Sequence, residues 1–115
     1  MFELSSKVDL KSKLPISIES MMLFRSIMYH SGIPVEVITR FDKSNGKVIG
    51  EVLASAIANK LEESLVYLMQ GMPVQRKAVF NNQIVVVMQP LMLKELASLK
   101  MLIEFCRHNA PFEVR

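Results

Sequence analysis

The 115-residue chain has no tryptophan, one cysteine, four glycines and five prolines. A lone cysteine excludes a disulfide framework and a cysteine-rich zinc centre, and it fits a reducing compartment. So little glycine and proline excludes a collagen-like or low-complexity chain, and a hydrophobic share of 50% excludes a disordered tail. No stretch approaches the ~18 apolar residues of a membrane span. The opening Phe2-Glu3-Leu4-Ser5-Ser6-Lys7 lacks the basic-then-apolar order of a signal peptide. These absences lead us to expect an intracellular, cytoplasmic protein without a membrane partner.

What is present is enough for one domain spanning residues 1–115, large enough to bury a core without metal or disulfide staples. Fourteen Lys and Arg against eleven Asp and Glu leave a net charge of +3. That bias is too mild to mark a nucleic-acid binder. Lys7, Lys11 and Lys13 cluster, but Glu3 and Asp9 sit among them, so they read as a solvated edge rather than a phosphate site. Nine methionines suit irregular core gaps or an adaptable binding surface.

Periodicity supplies the elements. Phe2, Leu4, Val8 and Leu10 alternate with polar residues, which predicts a half-buried strand over 2–10, followed by a linker over 11–14. Ser17 is suited to cap a helix over 17–31 that is apolar on most sides, and such a helix is expected to be packed on more than one side. Gly32 and Pro34 end it. Residues 35–41 lean to a short helix, and 42–46 read as a turn. Ile49, Val52, Leu53, Ala56, Ile57, Leu61, Leu65 and Leu68 recur at steps of three and four, predicting one long amphipathic helix over 47–70, closed by Gly71 and Pro73. Two strands, 74–80 and 83–88, flank Asn81-Asn82, a pair tolerant of left-handed backbone and suited to a two-residue hairpin. The unbroken apolar run Ile84–Met88 places the second strand inside a sheet rather than at its edge. A last helix over 91–108 turns Leu96, Leu99, Ile103 and Cys106 inward and Lys94, Glu95, Lys100, Glu104 and Arg107 outward, and 112–115 is a strand stub. The expected class is α+β: a small antiparallel sheet with three main helices, one long and central, packed on one face.

Reactive groups are sparse. His30 and His108 fall near helix ends, where a histidine usually complements the helix dipole. Cys106 lies on an apolar stripe, where a thiol is a small hydrophobe. Glu62 and Glu63 share a solvated helix face. Ser44-Asn45-Gly46-Lys47 holds a single glycine and only faintly suggests a phosphate loop. No cofactor or metal is expected. Residues 21–53 loosely follow a helix-turn-helix order, but Arg40 is the one base-reading side chain over 35–41, so nucleic acid is the secondary reading.

The segment Leu23-Phe24-Arg25-Ser26-Ile27-Met28-Tyr29, then Ile33-Pro34 and Phe41, resembles the first helix of the comet family, the HORMA-superfamily adaptors that help silence the spindle checkpoint. The order that follows, long helix, strand, then a helix with Leu102, Ile103 and Phe105, is similar too. The Tyr29-to-Ile33 spacing is one residue shorter than in that family, and a HORMA domain has nearly twice this length. The resemblance implies a non-enzymatic adaptor, nuclear in some settings, whose last helix docks on another HORMA protein with Lys94, Lys100, Glu104 and Arg107 at the contact. Our leading expectation is therefore a protein–protein interaction domain, an adaptor, chaperone or inhibitor, binding through a helix face or a sheet edge. A homodimer is a further expectation, because the first helix carries more apolar side chains than one sheet face needs.

Overall fold

The computed structural model describes residues 1–42 and 47–115. Its elements are β1 (Phe2–Ser6), β2 (Lys13–Ile16), α1 (Ile18–His30), α2 (Val35–Ile38) with a 3-10 turn after it (Thr39–Asp42), α3 (Glu51–Met69), β3 (Val74–Phe80), β4 (Gln83–Gln89), α4 (Leu93–His108) and β5 (Phe112–Val114). The class is α+β, as the periodicity indicates. Most of 42–46, read as a turn, and most of the faint phosphate-loop segment lie outside the described residues.

The single expected sheet is instead two. Three antiparallel strands run in the order β2-β1-β5, and β3 pairs with β4 alone. The cause lies in residues 7–16, of which 11–14 read as a linker. The Asp9 carboxylate accepts from Lys11 N at 3.1 Å and Ser12 Oγ at 2.7 Å, and the chain turns back on itself. Lys13–Ile16 then pairs with β1, with Pro15 opposite Glu3 on an outer strand, where its missing N–H costs nothing. The stub β5 takes the other edge of β1. Both edges of β1 are thus filled by β2 and β5, and the hairpin forms a separate sheet of its own. Register puts Phe2, Leu4, Leu14, Ile16, Phe112 and Val114 on one face, and these residues join the helices in the core.

The opposite face carries Glu113, whose carboxylate binds Lys7 Nζ at 3.0 Å and Arg115 Nε. Lys7 first, then Arg115, holds this carboxyl below the usual carboxylate range. A carboxylate lowered in the folded state stabilises above its unfolded pKa, and that stability is lost as pH falls through and below it. Urea unfolding at pH 7 and pH 3 should therefore show a smaller acid loss in Glu113→Gln than in the parent chain. Equal losses in both would remove Glu113 as a source of the pH dependence.

Local chemistry explains the helix limits. Ser17 Oγ accepts from Ser20 N at 3.1 Å at the start of α1. Gly32 (φ 84°) closes it: Gly32 N donates to Tyr29 O and Ile33 N to Met28 O. Gly71 (φ 92°) repeats the arrangement after α3, with bonds to Leu68 O and Tyr67 O. This paired closure needs a left-handed residue, which glycine adopts without strain. Gly50 sits at the N-cap of α3, so the helix begins at Glu51, later than its periodicity suggested.

Helix α3 buries Ala54, Ile57, Ala58, Leu61 and Leu68, largely against Leu99, Leu102, Ile103 and Cys106 of α4. Helix α1 buries Met21, Phe24, Ile27 and Met28 but leaves Ile18, Met22 and Tyr29 53–62% exposed. The helix packs on more than one side, as expected, meeting β3, α2 and α3, while the side carrying Ile18, Met22 and Tyr29 stays open. Phe112 is fully buried, its ring 5.4 Å from Phe105 and 6.3 Å from Phe41, and its backbone pairs with Ile49. It ties β5 to α4, to the 3-10 turn and to the approach to α3. No helix among the described residues is long and apolar enough to cross a membrane.

Candidate interaction surface

The hairpin is mostly uncovered. Asn81 (φ 50°) and Asn82 (φ 60°) form the two-residue turn with both central residues left-handed, the geometry whose twist matches that of its strands. Phe80 pairs with Gln83 and the register runs without a bulge to Val74 opposite Gln89. Only Val74 of the fourteen strand residues is buried. An isolated two-stranded ribbon is marginal in water, so its attachments matter.

Three attachments hold it. Val74 enters the core. Ser26 Oγ of α1 donates to Gln75 O at 3.2 Å. Arg76 meets Glu95 of α4 in a two-pronged pair, Nη1 to Oε2 and Nη2 to Oε1, both 2.7 Å, and Nη2 also reaches Pro90 O at 3.1 Å. Glu95 was expected to face outward; it faces the hairpin because Arg76, nineteen residues earlier in sequence, reaches across to it. The same carboxylate accepts from Met92 N at 2.8 Å and so caps α4, which has no Ser, Thr, Asp or Asn at its N-cap. Arg76 first, and the Met92 backbone amide further, hold the Glu95 carboxyl below its ordinary value. The pair is shielded, with side chains only 19% and 17% exposed.

Beyond these attachments the hairpin displays Val79, Phe80, Ile84, Val86 and Met88, each 58–76% exposed. The expectation that Ile84–Met88 lies inside a sheet is corrected: among the described residues β4 has one strand neighbour, β3, and its other edge is open. Beside the hairpin, α1, β3 and the start of α4 enclose a groove of about 980 Å³. Its walls mix Met22, Tyr29 and Met92 with Arg25, Lys77 and Lys94.

The four residues proposed for partner contact do not converge. Lys94 lines this groove. Lys100 and Glu104 lie on a second, shallower hollow beside residues 11–14, where Glu104 pairs with His108 at 2.9 Å. Arg107 is engaged by Glu62 of α3 and so ties two helices together. The exposed apolar hairpin was visible in sequence only as an edge open to a partner, since the run Ile84–Met88 signals a need for cover without saying that the chain leaves it uncovered.

Reactive groups stay apart. The His30 ring packs edge-on against Tyr29 at 5.4 Å, and burial pushes the Cys106 thiol up to about 12. Among the described residues, no group of three or more His, Cys, Asp and Glu could hold a metal ion. Helix α2 has only four residues, and its exposed positions include Val35 and Glu36, neither of which supplies the positive charge that phosphate contact needs. Comparison with protein-family models, with curated proteins and with solved structures finds no match.

Proposed function

We propose that this protein is a non-catalytic protein-binding domain that engages its partner through the β3–β4 hairpin. One observation carries the reading: a strand whose composition suits burial on both faces, Ile84-Val85-Val86-Val87-Met88, stands at an open sheet edge. Contiguous exposed apolar surface of this kind marks interaction sites in soluble domains. The apolar, partly charged groove next to it extends the surface towards α1. The likeness of α1 to the comet-type adaptors supports the adaptor form of this reading, and the free, buried Cys106 supports a reducing compartment such as the cytoplasm.

Photo-crosslinking in the producing cells tests the reading. A crosslinking side chain at Ile84 should capture protein, whereas one at Val52, exposed to 87% on α3, should not. Absence of protein adducts from Ile84, or equal yields from both positions, would overturn it.

A further inference from the structure

We infer that the hairpin's partner is a second copy of this chain, β4 pairing antiparallel with β4 of the copy about a twofold axis through Val86. The inference rests on the protein-binding reading above and names its occupant. The strand reads Gln83-Ile84-Val85-Val86-Val87-Met88-Gln89, a near-palindrome. A twofold through Val86 places Gln83 opposite Gln89, Ile84 opposite Met88, Val85 opposite Val87 and Val86 opposite itself. A twofold interface must be self-complementary, and in this register every side chain meets one of its own chemistry.

Hydrogen bonding favours the same centre, the one that engages all three outward residues of the strand. The two-residue turn closed by Phe80 and Gln83 directs the N–H and C=O groups of Gln83, Val85, Val87 and Gln89 towards β3. Those of Ile84, Val86 and Met88 then point to the open edge. A twofold through Val86 pairs these outward residues with one another, giving about six inter-chain bonds. A shift of the pairing by one residue would set outward groups against inward ones.

Charge selects this edge over the other. Residues 83–89 contain no charge, proline or glycine, the usual devices that blunt an edge strand. The outer edge of β3 is met by α1, whose Ser26 Oγ binds Gln75 O, and the strand carries Lys77, so β3 is the protected edge. The combined sheet therefore runs β3-β4-β4-β3 and stops at four strands, its outer edges protected. Pairing at this edge sets Ile84, Val86 and Met88 of one chain, each 58–75% exposed, beside Met88, Val86 and Ile84 of the other.

Light scattering on the full chain at about 100 µM should give twice the 13.1 kDa chain mass. Val86→Lys sets two ammonium groups face to face and should weaken association at least tenfold. Val86→Cys, which keeps the strand's size and shape, should form a disulfide-linked dimer under added oxidant, and Val52→Cys should not. A monomer that fails to crosslink through Val86→Cys overturns the self-pairing, as does a dimer indifferent to Val86→Lys or an open-ended aggregate. If the parent chain is monomeric while Ile84 still captures a different protein, the binding-domain reading stands and only the second copy is lost.

Discussion

Phe112→Ala should lower unfolding stability by about 3–5 kcal/mol, the cost of emptying a fully packed aromatic site. That is a large part of the roughly 5–15 kcal/mol available to a domain of this kind. Phe112 is the position where this cost should be greatest because its ring contacts the rings of Phe105 and Phe41 while its backbone binds Ile49 in both directions. One side chain thus joins the end of the chain to its middle. Phe112→Leu keeps much of the volume and should cost about 1–2 kcal/mol. Urea unfolding at neutral pH reads both values. A loss below about 1 kcal/mol for the alanine variant, at unchanged slope, would show that the neighbouring rings close the gap and that β5 is held by its strand bonds alone.

The second large effect concerns Arg76 and Glu95. Removing either partner leaves the other shielded and without its counter-charge, which costs 3–5 kcal/mol for a fully buried pair and about 2–3 kcal/mol at the partial exposure found here. Glu95→Ala should be the worse of the two by about 1 kcal/mol, because it also uncaps α4. The double variant should lose less than the two single losses added together, a coupling of about 1–2 kcal/mol. Amide exchange over residues 75–89 should quicken in all three variants, since the ribbon relies on this attachment. Strictly additive losses, or unchanged exchange in the hairpin, would mean that the pair is an ornament of the surface and not what fixes the hairpin in place.

Much of the fold was legible because its signals are local. Ser17 caps a helix through a bond that spans three residues. Gly32 and Gly71 end helices where left-handed backbone is needed, and Asn81-Asn82 sets a hairpin register by its own φ values. The sheet partners were not legible, since they depend on a turn around Asp9 and on β5 arriving from the far end of the sequence. The same division applies to the candidate site. Composition marked Ile84–Met88 as a segment that needs cover, but only the three-dimensional arrangement shows that its own chain does not supply it. Glu95 read as outward because helical periodicity knows nothing of an arginine on a distant strand. Lys94, Lys100, Glu104 and Arg107 were grouped by exposure along one helix, and the structure distributes them between a groove, a hollow and an ion pair with α3.

The pairing of β1 with β5 has a mechanical consequence. Glu3 and Arg115 exchange backbone bonds with each other, so the two ends of the sheet pair begin side by side. Tension applied between Met1 and Arg115 would load those bonds first and the next ones inward only after they part, one after another rather than together. The seam should therefore unzip at low force even though the ring of Phe112 makes it thermodynamically firm, and a handle attached at Met1 or Arg115 would load it in that peeling direction.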